Sequence, residues 1–310
     1  MSVIARIIAV ALLLLGRCEV STTDTPPWPG NARYSVSGTT LNSALECGTP
    51  IDGGGRAEPV LLVHGTGVTP EQNWGWSYRP ALRKAGFEVC WVTLPNAAFE
   101  DIQISAEYAA RAIEIMNHRA GELVDVIGHS QGGLSLRWAI KWFPAGALVD
   151  DYVGFASPNH GTRTAISAAR AGKCFAACWQ MRPRSAFIGA LNRGDETPGD
   201  VSYTSIYTIN DEAVRPAESS SLAGAMNVVI QDVCPGRPVE HLLLAGDAVT
   251  WELAVDALTH RGAADVERVS PFACFKLALP GATLNWPERG ADTVNVRYPS
   301  REPPLRPYAR

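Results

Sequence analysis

The sequence predicts an α/β fold, a mostly parallel central sheet with helices packed on both of its faces. Three observations carry that expectation. Short continuous apolar runs, "PVLLV", "FEVCWVTL" and "LVDVIG", recur without polar alternation, as in strands buried on both faces. Between them lie stretches with helical spacing, such as Ala106, Ala109, Ile113 and Met116. Glycine and proline punctuate the boundaries, and strands alternating with helices imply right-handed crossovers into a parallel sheet.

Taken in chain order, "MSVIARIIAVALLLLGRC" carries Arg6 and an apolar run from Ile7 to Leu15. That run is too short to span a bilayer and matches the apolar segment of a secretory signal, so residues 1–18 read as a signal peptide with cleavage after Cys18. Its removal would take the charge from −4 to −6, since Arg6 and Arg17 leave with it. Residues 19–58 are rich in Ser, Thr, Pro and Gly and read as an extended lead-in. From there, 59–310 is expected to form one domain. Pro59–Val63 is the first strand, ending in "HGTG", and Phe87–Leu94 the second. "ISAEYAARAIEIMNHRAG" is a helix stopped by Gly121. Leu123–Gly128 is the third strand, "LSLRWAIKWF" a helix halted by Pro144, and "VDDYVGFASP" a further strand.

At 310 residues, 46% hydrophobic and 19% charged, the chain can bury a substantial core. Its basic residues are scattered and its net charge is −4, which excludes an electrostatic nucleic-acid footprint. Beyond Cys18, six cysteines remain, Cys47, Cys90, Cys174, Cys178, Cys234 and Cys274. An even number in an exported chain points to disulfides, though six cysteines allow 15 pairings. A metal site is not expected, because the close pair Cys174 and Cys178 has no histidine at ligand spacing.

The segment "DVIGHSQGG" places Ser130 between a buried strand and a helix, with Gly128 and Gly132 two residues to either side. A strand-to-helix turn this sharp needs glycine where side chains would meet neighbouring backbone, and it lifts the serine hydroxyl clear of the sheet. The helix N-terminus then sets the Gln131 N–H and a positive partial charge beside that hydroxyl. A serine nucleophile needs a base, and the base an acid that fixes its tautomer. In a fold of this kind their chain order is serine, acid, histidine. His64, His118, His129 and His160 come too early, which leaves His241 and His260. His260 follows the helical run "TWELAVDALT", whereas His241 stands in the loop sequence "RPVEHLLLAG", so His241 is the favoured base. For the acid, "SIYTINDEAVRP" presents a strand, Ser205–Ile209, opening into Asp211 at a sheet edge where such folds assemble their sites. Asp195 in a polar loop, Asp232 at an expected strand end, and Glu212 are the alternatives. "HGTG" offers Thr66 N–H, with its hydroxyl, as an oxyanion donor beside Gln131 N–H.

In order, "LLVHGTGVTPEQNWGW", "GFEVCWVTLP", "GHSQGGLSLRWAIKWFP", "IYTINDEAVRP" and "NVVIQDVCPGRPVEHLLL" resemble the α/β-hydrolase lipases of the lipase B type, over about Cys47 to Cys274. The resemblance implies the α/β-hydrolase fold, with Ser130 as nucleophile, Asp211 as acid, His241 as base, and Thr66 and Gln131 as oxyanion donors. It also implies disulfides Cys47–Cys90 and Cys234–Cys274. Cys174 and Cys178 are this chain's own feature, read as a clip within a candidate lid, residues 163–200. His129 stands where lipase B has a tryptophan lining its alcohol pocket, so that preference does not transfer. "SPNHGT" looks more like bacterial lipases.

The expected function is therefore a secreted, monomeric lipase or esterase that cleaves acyl esters at a lipid–water interface, without cofactor, nucleic-acid partner or transmembrane span. The alternatives on the same fold are an acyltransferase and a non-catalytic binding protein.

Overall fold

The structure, a computed structural model, describes residues 28–48, 50–51, 59–283 and 294–310. The signal peptide expected at 1–18 lies outside the described residues. Seven strands form one sheet: β1 (Leu45–Cys47), β2 (Val60–Val63), β3 (Val89–Val92), β4 (Val124–His129), β5 (Val149–Phe155), β6 (Ser202–Tyr207) and β7 (Met226–Val229). Their spatial order is β1-β3-β2-β4-β5-β6-β7, and every pairing is parallel except β1 against β3. Val60 to Val63 and Val124 to His129 are buried throughout, which is why those strands read as unbroken apolar runs.

Successive side chains of a strand point to opposite faces, and β2 divides accordingly. Leu61 and Val63 join a cluster with helices α3 (Ile102–Ala120) and α4 (Gln131–Trp142), with Met116, Leu134, Trp138 and Phe143 among its members. Val60 and Leu62 face the other way, toward Tyr78 and Leu82 of α2 (Tyr78–Ala85) and Val249 and Leu253 of α9 (Ala248–Thr259). Helix α3 starts where the Asp101 side chain accepts from Gln103 N–H and stops at Gly121, whose φ of 74° suits a residue without Cβ. Helix α4 ends at Phe143, as Pro144 requires.

Two local expectations are corrected. The lead-in is not wholly irregular: Gly38–Ser43 forms a helix, α1, capped by Ser37, and Leu45–Cys47 pairs with β3 as an edge strand, its register set beside the Cys47–Cys90 disulfide. Asp232 lies in a four-residue helix, α8 (Ile230–Val233), rather than at a strand end. Three short helices, α5 (Arg163–Arg170), α6 (Ala176–Gln180) and α7 (Ala186–Asn192), fill the segment between β5 and β6.

Along the chain β2 is followed by β3 on one side, and then β4 is laid down on the other. The loops leaving the carboxyl ends of β2 and β4 therefore diverge, and open parallel sheets bind ligands in the crevice such a reversal creates. Thr66 follows β2 and Ser130 follows β4, so the topology places both at that crevice.

Candidate active site

Ser130 sits at φ 55°, ψ −124°, a left-handed φ that L residues avoid and that a sharp strand-to-helix turn imposes. The turn is tied to the sheet by Ser130 N–H donating to Phe155 O at 2.7 Å. Its tightness explains the flanking glycines. A Cβ on Gly132 would lie 2.3 Å from Val63 O, and one on Gly128 would lie 2.5 Å from Gly133 N, so the helix meets the sheet backbone to backbone.

His241 and Asp211, the expected base and acid, stand on two loops stitched together. Asp211 Oδ1 accepts from Ala213 N–H at 2.8 Å and Val214 N–H at 2.6 Å, while Oδ2 accepts from His241 Nδ1–H at 2.8 Å. The side chain is 1% exposed and its carboxylate receives three donors, so its charge is compensated and its direction set. With Nδ1 carrying the proton, His241 keeps Nε2 as a free lone pair. Thr208 Oγ1 donates to Val239 O at 2.8 Å, and Asn210 Nδ2 donates to Arg237 O at 3.1 Å, which holds the Asp211 and His241 loops in one register. Behind them, buried Arg237 pairs with Asp247 and donates to the carbonyls of Cys274, Lys276 and Leu277, beside the Cys234–Cys274 disulfide.

Ser130, His241, Thr66 and His129 open onto one cavity of about 340 Å³, whose remaining wall is largely apolar, including Phe175, Met181, Val214 and Leu242. Among the described residues Ser130 Oγ makes no hydrogen bond, so hydroxyl and imidazole share the cavity without yet touching through one. Thr66 Oγ1 donates to Gln131 Oε1 at 2.5 Å, and Gln131 N is the first amide of α4. The Cys174–Cys178 bond reaches the cavity through Cys178, which lines it.

The geometry also gives roles to residues that motif reading passed over. His64 Nε2 accepts from Leu94 N–H at 3.0 Å and its Nδ1–H donates to Gly65 O at 2.8 Å, a pattern only the neutral ring can make; burial pushes the ring down to about 4. His129 turns its two ring nitrogens toward Asn73 Oδ1 and His241 O, each 3.1 Å away, and donates to one of them as the neutral ring; burial, then the neighbouring His241, push it down to about 3. Asn73 Oδ1 also accepts from Gly65 N–H at 2.9 Å. These three side chains link the Gly65–Thr66 loop to the His241 loop, contacts that no local sequence signal announces. Glu212, weighed as a rival acid, accepts from His241 N–H at 3.2 Å and meets Glu240, whose carboxyl is raised by its burial and by Glu212. His260 is half-exposed and pairs with Asp256, outside the cavity. Asp195 is exposed and its carboxylate turns back on Thr197 N–H. Among the described residues, the one acidic group close enough for a shared cation is Asp125, Asp150 and Asp151, at the amino ends of β4 and β5, the far side of the sheet from Ser130. No helix among the described residues is long and apolar enough to cross a membrane.

Comparison with known proteins agrees with this architecture. The structure superimposes on Aspergillus fumigatus lipase B with a TM-score of 0.80 and 27% identity, covering 92% of this chain and 75% of that one. The chain has the α/β-hydrolase fold and resembles lipase B. The chain is also 30% identical over 203 residues to lipase B of Pseudozyma antarctica, covering 62% of this chain and 59% of that protein's length. Methylesterase 3 of Arabidopsis thaliana is 30% identical over 112 residues, 41% of its length. A palmitoyl protein thioesterase family model matches residues 59–210, the part of the chain that holds Thr66, Ser130 and Gln131. Bacillus licheniformis lipase BlEst2, in its propeptide form, shares the fold at a TM-score of 0.57 and 15% identity.

Proposed function

We propose that this α/β-hydrolase is an exported serine ester hydrolase that works through an acyl-enzyme. In this reading Ser130 Oγ attacks the acyl carbonyl while His241 Nε2 takes its proton, and Asp211 stabilises the imidazolium so formed. Thr66 N–H and Gln131 N–H hold the tetrahedral oxyanion, and His241 returns the proton to the leaving alkoxide. Water, deprotonated by the same ring, then attacks the acyl-enzyme and releases the acid. Removing one oxyanion donor typically costs 10²- to 10³-fold in kcat. The apolar wall receives the acyl chain.

The observation that carries the proposal is the 2.8 Å contact of His241 with a fully compensated Asp211, opening on the same cavity as a serine held at a strained turn. Apo enzymes commonly leave the nucleophile–base contact loose until substrate binds, and Ser130 and His241 line the same cavity. Three disulfides suit an oxidising compartment, which supports export.

A fluorophosphonate probe should add once, at Ser130, and Ser130→Ala should abolish both labelling and hydrolysis of p-nitrophenyl esters. Activity surviving that substitution would disprove the nucleophile. The match to the thioesterase family favours a second reading, hydrolysis of acyl thioesters by the same acyl-enzyme. Comparing kcat/KM on matched oxygen and thioester substrates separates the two. An acyltransferase is recognised by product partition when water and an added alcohol compete.

A further inference from the structure

We propose that Asn96 is a positioning residue for the oxyanion loop, and that through it the C-terminal strap, residues 294–310, holds Thr66 where the tetrahedral oxygen develops. The inference rests on the reading of Thr66 as an oxyanion donor.

The turn after β3, residues 95–98, has an unusual backbone. Asn96, Ala97 and Ala98 lie at φ 48°, 50° and 63°, three consecutive non-glycine residues in the left-handed region. Such residues visit that region singly and at a cost, Asn more readily than most, so a run of three must be held by its surroundings. The turn aims the Ala97 carbonyl at the oxyanion loop, where it accepts from Gly67 N–H at 2.8 Å. It also sets the Phe99 ring against Gly67, leaving 3.3 Å to where a Cβ would stand. Gly67 is thus fixed on one side of Thr66, while Gly65 is fixed on the other by Asn73 and His64. Thr66 N–H is aimed by its two pinned neighbours.

What holds the turn is a two-point contact with the strap. Asn96 Nδ2 donates to Asn295 O at 2.9 Å, and Asn295 N–H donates back to Asn96 Oδ1 at 3.1 Å. Nδ2 also reaches Glu100 Oε1 at 3.1 Å. The strap is itself fastened along its length. Trp179 Nε1–H donates to Pro299 O, the Glu302 carboxylate accepts the first amides of α7, Ala186 and Phe187 N–H, and Gln103 bonds Pro304 O and Arg306 N–H. Tyr308 packs among Trp138, Trp142 and Phe143. A continuous path of bonded groups therefore runs from the strap through Asn96 and Ala97 to the loop that carries Thr66.

A tail that merely clamps the fold would affect stability alone. A strap that positions an oxyanion donor affects the transition state, because donor placement acts on the tetrahedral species far more than on bound ester. The test uses the full chain and measures kcat and KM on p-nitrophenyl butyrate, the affinity of a phenylboronic acid that forms a tetrahedral adduct on Ser130, and Tm. Asn96→Ala should lower kcat about ten-fold with KM within about two-fold, and weaken the boronic acid by the same factor. Asn96→Asp, which keeps the acceptor for Asn295 N–H, should recover part of the loss. Asn295→Pro removes that N–H without touching the turn; it should reproduce the Asn96→Ala phenotype, and the double variant should lose little more. A lower Tm with kcat and boronic-acid affinity unchanged overturns the proposal, as does strict additivity of the two substitutions. Should Asn96→Ala fail to fold, Asn295→Pro decides by the same readouts. If Thr66→Pro, which removes the Thr66 N–H, retains wild-type kcat, the oxyanion reading itself is wrong; if it loses kcat while the Asn96 and Asn295 variants do not, only the strap's role fails.

Discussion

Acid should unfold this protein earlier than its carboxylates alone would dictate, and the cause lies beside the candidate active site. His64 and His129 are fully buried and held neutral, pushed down to about 4 and about 3 by burial from an ordinary value of 6.5. The unfolded chain binds a proton at each ring near 6.5, whereas the folded chain refuses it. Stability is therefore whole above that value and is lost as pH falls from there toward about 4. Integrating the linkage from about pH 8 to about pH 5 gives about 2 kcal/mol for each ring, or about 4 kcal/mol together, within a typical total of 5–15 kcal/mol. One group works the other way: His160 is raised by its hydrogen bond to Glu196, so it stabilises the fold below 6.5 and loses that contribution as pH rises, although its half-exposed position screens the effect. Glu240, raised by burial and by Glu212, likewise favours the fold slightly in acid. Urea unfolding at about pH 8, 6.5 and 5 measures the net slope, which should approach about 2.7 kcal/mol per pH unit at the acid end when both rings contribute. His64→Gln, able to accept from Leu94 N–H and donate to Gly65 O without titrating, should halve the loss. A free energy that stays flat between about pH 6.5 and 5 in the His160→Asn variant would refute the claim that both rings are locked neutral.

Three further outcomes follow from single contacts. Asp211→Asn keeps an acceptor for Ala213 and Val214 N–H but faces His241 Nδ1 with an amide donor, so the ring should adopt the wrong tautomer and kcat should fall about 10³- to 10⁴-fold in an esterase assay with Tm little changed. Arg237→Leu leaves Asp247 buried and uncompensated and should cost about 3–5 kcal/mol in urea unfolding, with Asp247→Ser in addition restoring part of it, since serine can still cap α9. Gly132→Ala drives a Cβ into Val63 O, a backbone atom that cannot yield, and should cost about 1–3 kcal/mol while slowing fluorophosphonate labelling of Ser130.

How much of this was legible beforehand depends on the range of the interaction. The strands at Val60–Val63 and Val124–His129 were readable because burial on both faces leaves an unbroken apolar run. Ser130 was readable because its turn is local: the glycines that permit it stand within two residues. The helix at Gly38–Ser43 and the strand at Leu45–Cys47 were not, because a polar six-residue helix has no amphipathic signal, and a three-residue edge strand is defined by its partner β3 and by the bond from Cys47 to Cys90.

The sequence by itself determined the kinds of chemical group this protein can bring to bear, the strand-to-helix turn that lifts Ser130 from the sheet, and the parallel sheet on which they stand, since each follows from side-chain type and spacing within a few residues. Tertiary structure alone decided that Asp211 meets His241 across 30 residues at 2.8 Å, that His64 and His129 are denied their protons, and that Asn295 reaches Asn96 from 199 positions away. Contacts of that range come from the order in which strands enter the sheet and from the exclusion of water around buried groups, neither of which is written in any short stretch of the chain.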